Sequence, residues 1–368
     1  MKVGIITYHR VRNYGSVLQS YALMKYLQNQ GHDVYIINYI PDAHSTKTEF
    51  LGAPDGIMLK KMAYVVMSFP LRLRVYHIYK SFRDSYLRLT DAQYKNMQDF
   101  QDNFLDMDIY VTGSDQVWNS RYNYCGKENG YHYYLDFTAD EEKRVAYAAS
   151  FGEESLQNDN DPIIGALINR YASLSVRERS GIKKLQNLGR NDAVQVLDPT
   201  FLLGKDDWAE LFGRSPIKDK YLLIYEPQRR KADKFEHWAE KIASSKGLQI
   251  VKIHKEYTKP SWVDKALYPS VNDFLSLFAH AEFVLTNSFH GIAFSLNFNK
   301  QFACIPANSA NNRIDEILEM VGLKWRMLIS EEQLVTILES DIDYSNVNEE
   351  ISRQRVLSRQ FLDNAIRG

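Results

Sequence analysis

His290 stands where the sequence alone predicts chemistry. Phe283, Val284 and Leu285 read as the end of a short buried strand, while Thr286, Asn287 and Ser288 are helix-capping residues. Gly291 permits a tight turn, and Ile292, Ala293, Phe294, Leu296 and Phe298 continue as a largely apolar helix. His290 is therefore expected at or beside a helix N-terminus on the carboxyl side of a strand, where open α/β sheets collect anionic ligands. The competing expectation is a turn histidine bonded to a nearby carbonyl.

Three more turns carry polar side chains in a similar setting. Residues 3–7 have the pattern of a buried strand, and the loop after them leads through Asn13, Tyr14 and Gly15 into a helix bearing Gln19. That loop lacks G-x-G-x-x-G spacing, so dinucleotide binding is not supported, but Asn13 and Gly15 sit where a ligand would be met. A strand over 108–112 runs into Ser114, Asp115, Gln116 and Trp118, a set suited to gripping hydroxyls, phosphate or carboxylate. Arg177 follows the strand at 174–176, placed either to hold an oxyanion bidentately or to pair with Glu178 or another acid.

These turns require a scaffold. Strand, loop, helix and strand within the first 40 residues make a βαβ unit, which predicts a parallel sheet. The alternation resumes with strands expected at 221–225, 249–254, 283–286 and 302–306 and helices at 231–246, 271–279 and 313–320. We place the boundary between an N-terminal domain, 1–199, and a C-terminal domain, 200–330. A charged helical tail, 331–368, is expected to pack back on the first domain. Residues 57–89 read as helical and basic, with Lys60, Lys61, Arg72, Arg74, Lys80, Arg83 and Arg88, and Pro70 is expected to break them into two helices. They are either an ordinary packed helix with a solvated face or a stretch that lies on a membrane surface.

Composition narrows the function classes. A chain of 368 residues suits two domains, and a formal net charge of -1 gives no global attraction to nucleic acid. Cys125 and Cys304, with no partner pattern, read as packing thiols rather than metal or redox ligands. The nine histidines show no metal-ligand spacing, and no Gly-x-Ser-x-Gly elbow marks a hydrolase. No run reaches the ~20 apolar residues a membrane span needs, so a cytoplasmic protein is expected, at most touching the inner face of the membrane through 57–89.

Taken together, Asn13-Tyr14-Gly15-Ser16-Val17-Leu18-Gln19, Thr112-Gly113-Ser114-Asp115-Gln116-Val117-Trp118-Asn119, Ser175-Val176-Arg177-Glu178, Asp198-Pro199-Thr200 and Thr286-Asn287-Ser288-Phe289-His290-Gly291 resemble the polysaccharide pyruvyl transferase family, in the same order and over about residues 3–325. The resemblance implies an α/β fold of two Rossmann-like domains facing a cleft, GT-B-like. It implies transfer of pyruvate from phosphoenolpyruvate onto two hydroxyls of a sugar, in surface or exopolysaccharide biosynthesis, with no cofactor and no metal. His290 would be the acid/base or phosphate-binding group. Arg177, Asn287, Ser288, Gly291 and Arg313 would bind the donor. Asn13, Tyr14, Gly15, Gln19, Ser114, Asp115, Gln116 and Trp118 would bind a saccharide acceptor, lipid-linked or polymeric. One departure is plain: many members carry Arg-Leu-His-Gly at the last turn, and this chain has Ser288 and Phe289 before His290 and Gly291. A nucleotide-sugar glycosyltransferase and a non-catalytic glycan-binding member remain the alternatives, since fold does not fix function.

Overall fold

The computed structural model describes residues 1–51, 58–119, 130–152, 162–215, 217–227, 235–254, 259–306 and 312–368. Cys125, Asn308 and Asn311 lie outside them. The chain divides into two compact units, residues Met1–Leu202 with Ser358–Gly368, and Leu203–Leu357.

The first unit has strands β1 (Lys2–Ile6), β2 (Asp33–Ile36), β3 (Ile109–Thr112), β4 (Lys143–Ala149), β5 (Ser173–Val176) and β6 (Val194–Gln195). All pair in parallel, in the order β2-β1-β3-β4-β5-β6. Its helices are α1 (Tyr14–Asn29), α2 (Thr46–Leu51), α3 (Met58–Tyr86), α4 (Met97–Asp102), α5 (Pro162–Asn169) and α6 (Arg179–Asn187). Asn13 starts α1 as its cap, the side-chain oxygen accepting from the backbone N–H of Gly15 at 2.8 Å. The core is aromatic: Trp118 stacks on Tyr134 with centroids 5.3 Å apart, and Tyr39, Phe100, Tyr133 and Tyr171 are buried in the same cluster.

The second unit has β7 (Tyr221–Tyr225), β8 (Gln249–Ile253), β9 (Lys265–Leu267), β10 (Phe283–Thr286) and β11 (Gln301–Cys304), parallel in the order β11-β10-β7-β8-β9. Helices α7 (Lys205–Ala209), α8 (Phe235–Lys246), α9 (Val271–His280), α10 (Phe289–Asn297), α11 (Asn312–Met320) and α12 (Glu331–Glu339) belong to it. The last helix, α13 (Tyr344–Arg367), begins in the second unit and ends in the first.

Topology locates one switch point per sheet, where successive connections leave in opposite directions: between β1 and β3 in the first, and between β7 and β10 in the second. Ligands of open α/β sheets bind outside the strand ends there.

Two expectations need correction. Helix α3 is continuous through Pro70. Pro70 is exposed, so the Val66 carbonyl that loses its donor faces water rather than a dry core. Helix α2 also bridges the position: the Phe50 ring meets Phe69 and Tyr76 on either side of it, at 5.6 and 5.2 Å, and Arg72 donates to the Phe50 carbonyl at 2.9 Å. The tail is divided as well. Residues 331–357 belong to the second unit, where α12 packs on α8, and only 358–368 join the first. There Leu362 and Ile366 are buried, Ser358 Oγ accepts from Leu197 N at 2.9 Å, and Tyr26 Oη donates to Asp363 at 3.0 Å.

Candidate functional site

In the first unit, the loops after β1 and β3 flank the switch point and meet at Asp115. This residue holds φ at 74°, a left-handed conformation that costs a side-chain-bearing residue of order 1 kcal/mol or more. Its neighbours fix it there. Gln116 N donates to Oδ1 at 2.9 Å, Ser16 Oγ at the start of α1 donates to Oδ2 at 2.5 Å, and Ser150 N donates to its carbonyl at 3.1 Å. Arg177 lies beyond, with Nη1 donating to Asp198 Oδ2 at 2.8 Å and Nη2 3.8 Å from Asp115 Oδ1. Burial opposes the charge of this guanidinium, but Asp198, Asp115 and Glu178 outweigh it and hold the pKa above the ordinary value. Asp198 also accepts from Ser114 Oγ and, through its other oxygen, from Thr200 N and Oγ1. The result is a fixed charge cluster that presents a strained carboxylate beside the N-terminus of α1.

In the second unit, the switch point is flanked by Glu226 after β7 and Asn287–Ser288 after β10. Ser288 takes the cap position of α10 without a side-chain cap bond. Thr286 does the local work instead, its hydroxyl donating to the Tyr225 carbonyl at 2.6 Å and accepting from Ser288 N at 3.1 Å. Gly291 is required by packing: a Cβ there would lie 2.3 Å from Thr286 Oγ1. His290 thus sits in the first turn of α10, 8% exposed, with its ring edge-on to Phe289 at 5.4 Å. Arg313 is the second residue of α11, half-buried in the same unit. The positive end of α10 with a histidine in its first turn suits an anion and a proton transfer.

A model of the family described as polysaccharide pyruvyl transferase matches residues 13–309. The chain belongs to this family. No curated protein sequence matches it. Solved structures that resemble it include the UDP-GlcNAc 2-epimerases of Neisseria meningitidis, bound to UDP-GlcNAc (11% identity, TM-score 0.51, 100% of this chain and 99% of that one), and of Methanocaldococcus jannaschii (14% identity, TM-score 0.50, 97% and 99%). These likenesses are of fold: two parallel-sheet α/β domains in one chain, a GT-B-like fold.

The geometry sorts the acceptor-side residues of this pyruvyl transferase family member into two groups. Asn13 and Gln116 are half-exposed at the switch point, and Asp115 is 7% exposed. Gly15 gives its N–H to the Asn13 side chain. Tyr14, Gln19, Ser114 and Trp118 are buried completely or nearly so and are scaffold rather than contact surface. Tyr14 packs on Tyr79. Gln19 ties Thr7 Oγ1 and the Ser16 carbonyl, both at 2.9 Å. Trp118 donates through its indole N–H to the Tyr133 carbonyl. Helix α1 turns Tyr14 and Gln19 into the core, and the turn after β3 does the same to Ser114 and Trp118, so none of the four offers a surface to an acceptor in this structure. For Arg177 the ion-pair alternative describes the structure, with Asp198 and Asp115 as the acids, while Glu178 accepts from Phe151 N at 2.9 Å.

Residues missed from the sequence complete the picture. Asp198 and Ser16 lie in quoted motifs but draw no role from spacing, because their partners are 21 and 99 residues away. Lys252, the one charged residue of β8, reaches Glu226 Oε2 at 2.5 Å and lies over the Trp262 ring. A cation in an apolar strand was the available signal. A surface cavity of about 540 Å³ near Glu240 and Leu248 adjoins the N-terminal end of β8, the edge of the sheet opposite its strand ends. Among the described residues no group of three or more His, Cys, Asp or Glu is placed to hold a metal ion. Burial pushes the Cys304 thiol up, away from reactivity.

Proposed function

We propose that this chain transfers pyruvate from phosphoenolpyruvate to two hydroxyls of a saccharide, forming a ketal and releasing phosphate, during cytoplasmic assembly of a surface or extracellular polysaccharide. The observation that carries the reading is His290 in the first turn of α10, at the switch point of the second unit, in a chain whose family match spans 13–309.

In this reaction the donor C3 gains a proton to become a methyl group. C2 forms two bonds to sugar oxygens and loses its bond to phosphate oxygen. Of the two hydroxyl protons released, one offsets the proton taken by C3 and the other leaves with phosphate. Phosphoenolpyruvate brings phosphate and carboxylate together, a charge suited to helix N–H groups and arginines. With Ser288 at the position where many members have arginine, that load falls on the α10 N-terminus, His290, Asn287, Gly291 and Arg313. His290 moves the proton or steadies the departing phosphate. Asp115, held by Ser16 and Gln116, orients an acceptor hydroxyl alongside Asn13. Arg177 acts through Asp115 and Asp198 as a positioning residue. The acceptor is a saccharide, on a lipid carrier or in a polymer.

Calorimetric titration of the full chain with phosphoenolpyruvate beside nucleotide sugars tests this. Phosphoenolpyruvate should bind, and His290→Ala should lower acceptor-dependent phosphate release by ~10²–10⁴-fold. Unchanged turnover in that variant overturns the role of His290. Binding of a nucleotide sugar in place of phosphoenolpyruvate makes the chain a glycosyltransferase, and glycan binding without turnover makes it a non-catalytic member.

A further inference from the structure

We propose that the N-terminal half of α3 docks this protein on an anionic lipid surface. Of the large apolar side chains left exposed among the described residues, a cluster falls in one short segment around α3. Met62, Val66, Phe69 and Leu73 are 60%, 71%, 44% and 38% exposed. Their spacing of four, three and four residues places them within about 60° on one helical face. Met67, 75% exposed, and Tyr64 lie outside that stripe on the same turns. A contiguous exposed apolar strip of this kind marks a surface meant to be covered.

Charge identifies the cover. Residues 58–83 include no acidic one; within α3 Lys80 is paired with Asp84 and Arg83 is buried, which leaves Arg72 and Arg74 as the basic side chains beside the strip, in a chain whose formal net charge is -1. The charge described beside the apolar strip is therefore positive. Exposed Arg74 and half-buried Arg72, whose guanidinium lies over the Tyr64 ring at 5.2 Å, are arranged as basic and aromatic residues are at a lipid headgroup layer. No described helix is long and apolar enough to cross a membrane, so α3 would lie on the surface.

The other half of α3 shows what docking would position. Val75, Tyr79 and Phe82 are buried in the first unit. Tyr79 meets the ring of Tyr14, the first residue of α1, at 5.4 Å. A bilayer held at Met62–Leu73 thus fixes the orientation of α1, whose cap Asn13 flanks the switch point. The inference stands independently of the donor.

Vesicle co-sedimentation of the full chain is the test, with phosphatidylcholine alone and with phosphatidylcholine mixed with phosphatidylglycerol. The wild-type chain should partition about tenfold or more in favour of the anionic vesicles, less at high salt. The Val66→Glu/Leu73→Glu variant should lose that preference while keeping its circular dichroism spectrum and melting midpoint. Should that variant fail to fold, Met62→Glu, 60% exposed on the same stripe, gives the same readout. Equal sedimentation of variant and wild type, no binding to either vesicle, or salt-independent binding to both overturns the proposal. Concentration-dependent self-association that the variant abolishes, without vesicle binding, assigns the face to a second copy of the chain and likewise overturns it.

Discussion

At Arg177, charge geometry separates two roles that sequence leaves level. A guanidinium beside a strand end can hold a ligand anion or a carboxylate of its own chain. Here its side chain is 2% exposed, and Asp198 and Asp115 supply the carboxylates. Removing it leaves two buried acids without their cation, and a broken buried pair typically costs 3–5 kcal/mol. Arg177→Met should therefore lower unfolding stability by roughly 3 kcal/mol or more in urea titration. Adding Asp198→Asn should cost less than the two single changes summed, since the residues act as one unit. If Arg177 served mainly as a ligand cation, the single variant would keep stability within about 0.5 kcal/mol and lose only donor affinity. Local spacing could not settle this, because the decisive acid is contributed by the segment after β6. Gly291 was more legible: a glycine following a histidine at a strand-to-helix turn implied close backbone approach, and the Thr286 hydroxyl is what it approaches.

Whole elements were legible where the hydrophobic pattern had a clear period. The strand-loop-helix-strand opening and its counterparts at 221–225, 249–253 and 283–286 are present, and their carboxyl ends carry the candidate residues. Edge strand β9, only three residues long and without buried alternation, left no periodic signal. Pro70 misled for a physical reason, since a proline breaks a helix decisively only where the orphaned carbonyl cannot be hydrated. The polar turns told correctly where the sheets open, but not which side chains face outward. Tyr14, Gln19 and Trp118 share motifs with Asn13 and Gln116 yet point inward. Asn13 can be tested as an element-level residue. Its side chain satisfies the N–H groups of Gly15 and Ser16, so Asn13→Ala should cost about 1 kcal/mol in unfolding stability. Asn13→Ser, which keeps a capping oxygen, should recover most of that loss.

For the molecule as a whole, stability should depend steeply on pH because of two histidines in the first unit. His9 is held at about 3, first by burial and then by Arg10 and Arg83, and His44 at about 4, first by burial and then by Arg12. Both values lie below the 6.5 of a solvated histidine. Above that value neither state binds the proton, and these groups leave stability unchanged. Below it the unfolded chain takes up protons that the folded chain refuses, so stability falls as pH falls through 6.5 and continues to fall until about 4 for His44 and about 3 for His9. Near pH 5 each histidine has titrated through about 1.5 units in the unfolded chain alone, a loss of roughly 2 kcal/mol apiece. His9 Nδ1 lies 3.2 Å from the Thr7 carbonyl and Nε2 3.5 Å from Asn38 Oδ1, both acceptors, so the neutral ring donates to one of them, a contact a glutamine amide can approximate. Urea titrations of wild type and His9→Gln at neutral pH and near pH 5 should show the variant losing about 2 kcal/mol less over that interval. An identical acid loss in both proteins would mean that the fold accommodates a charged imidazole beside Arg10, contrary to the burial that defines this loop.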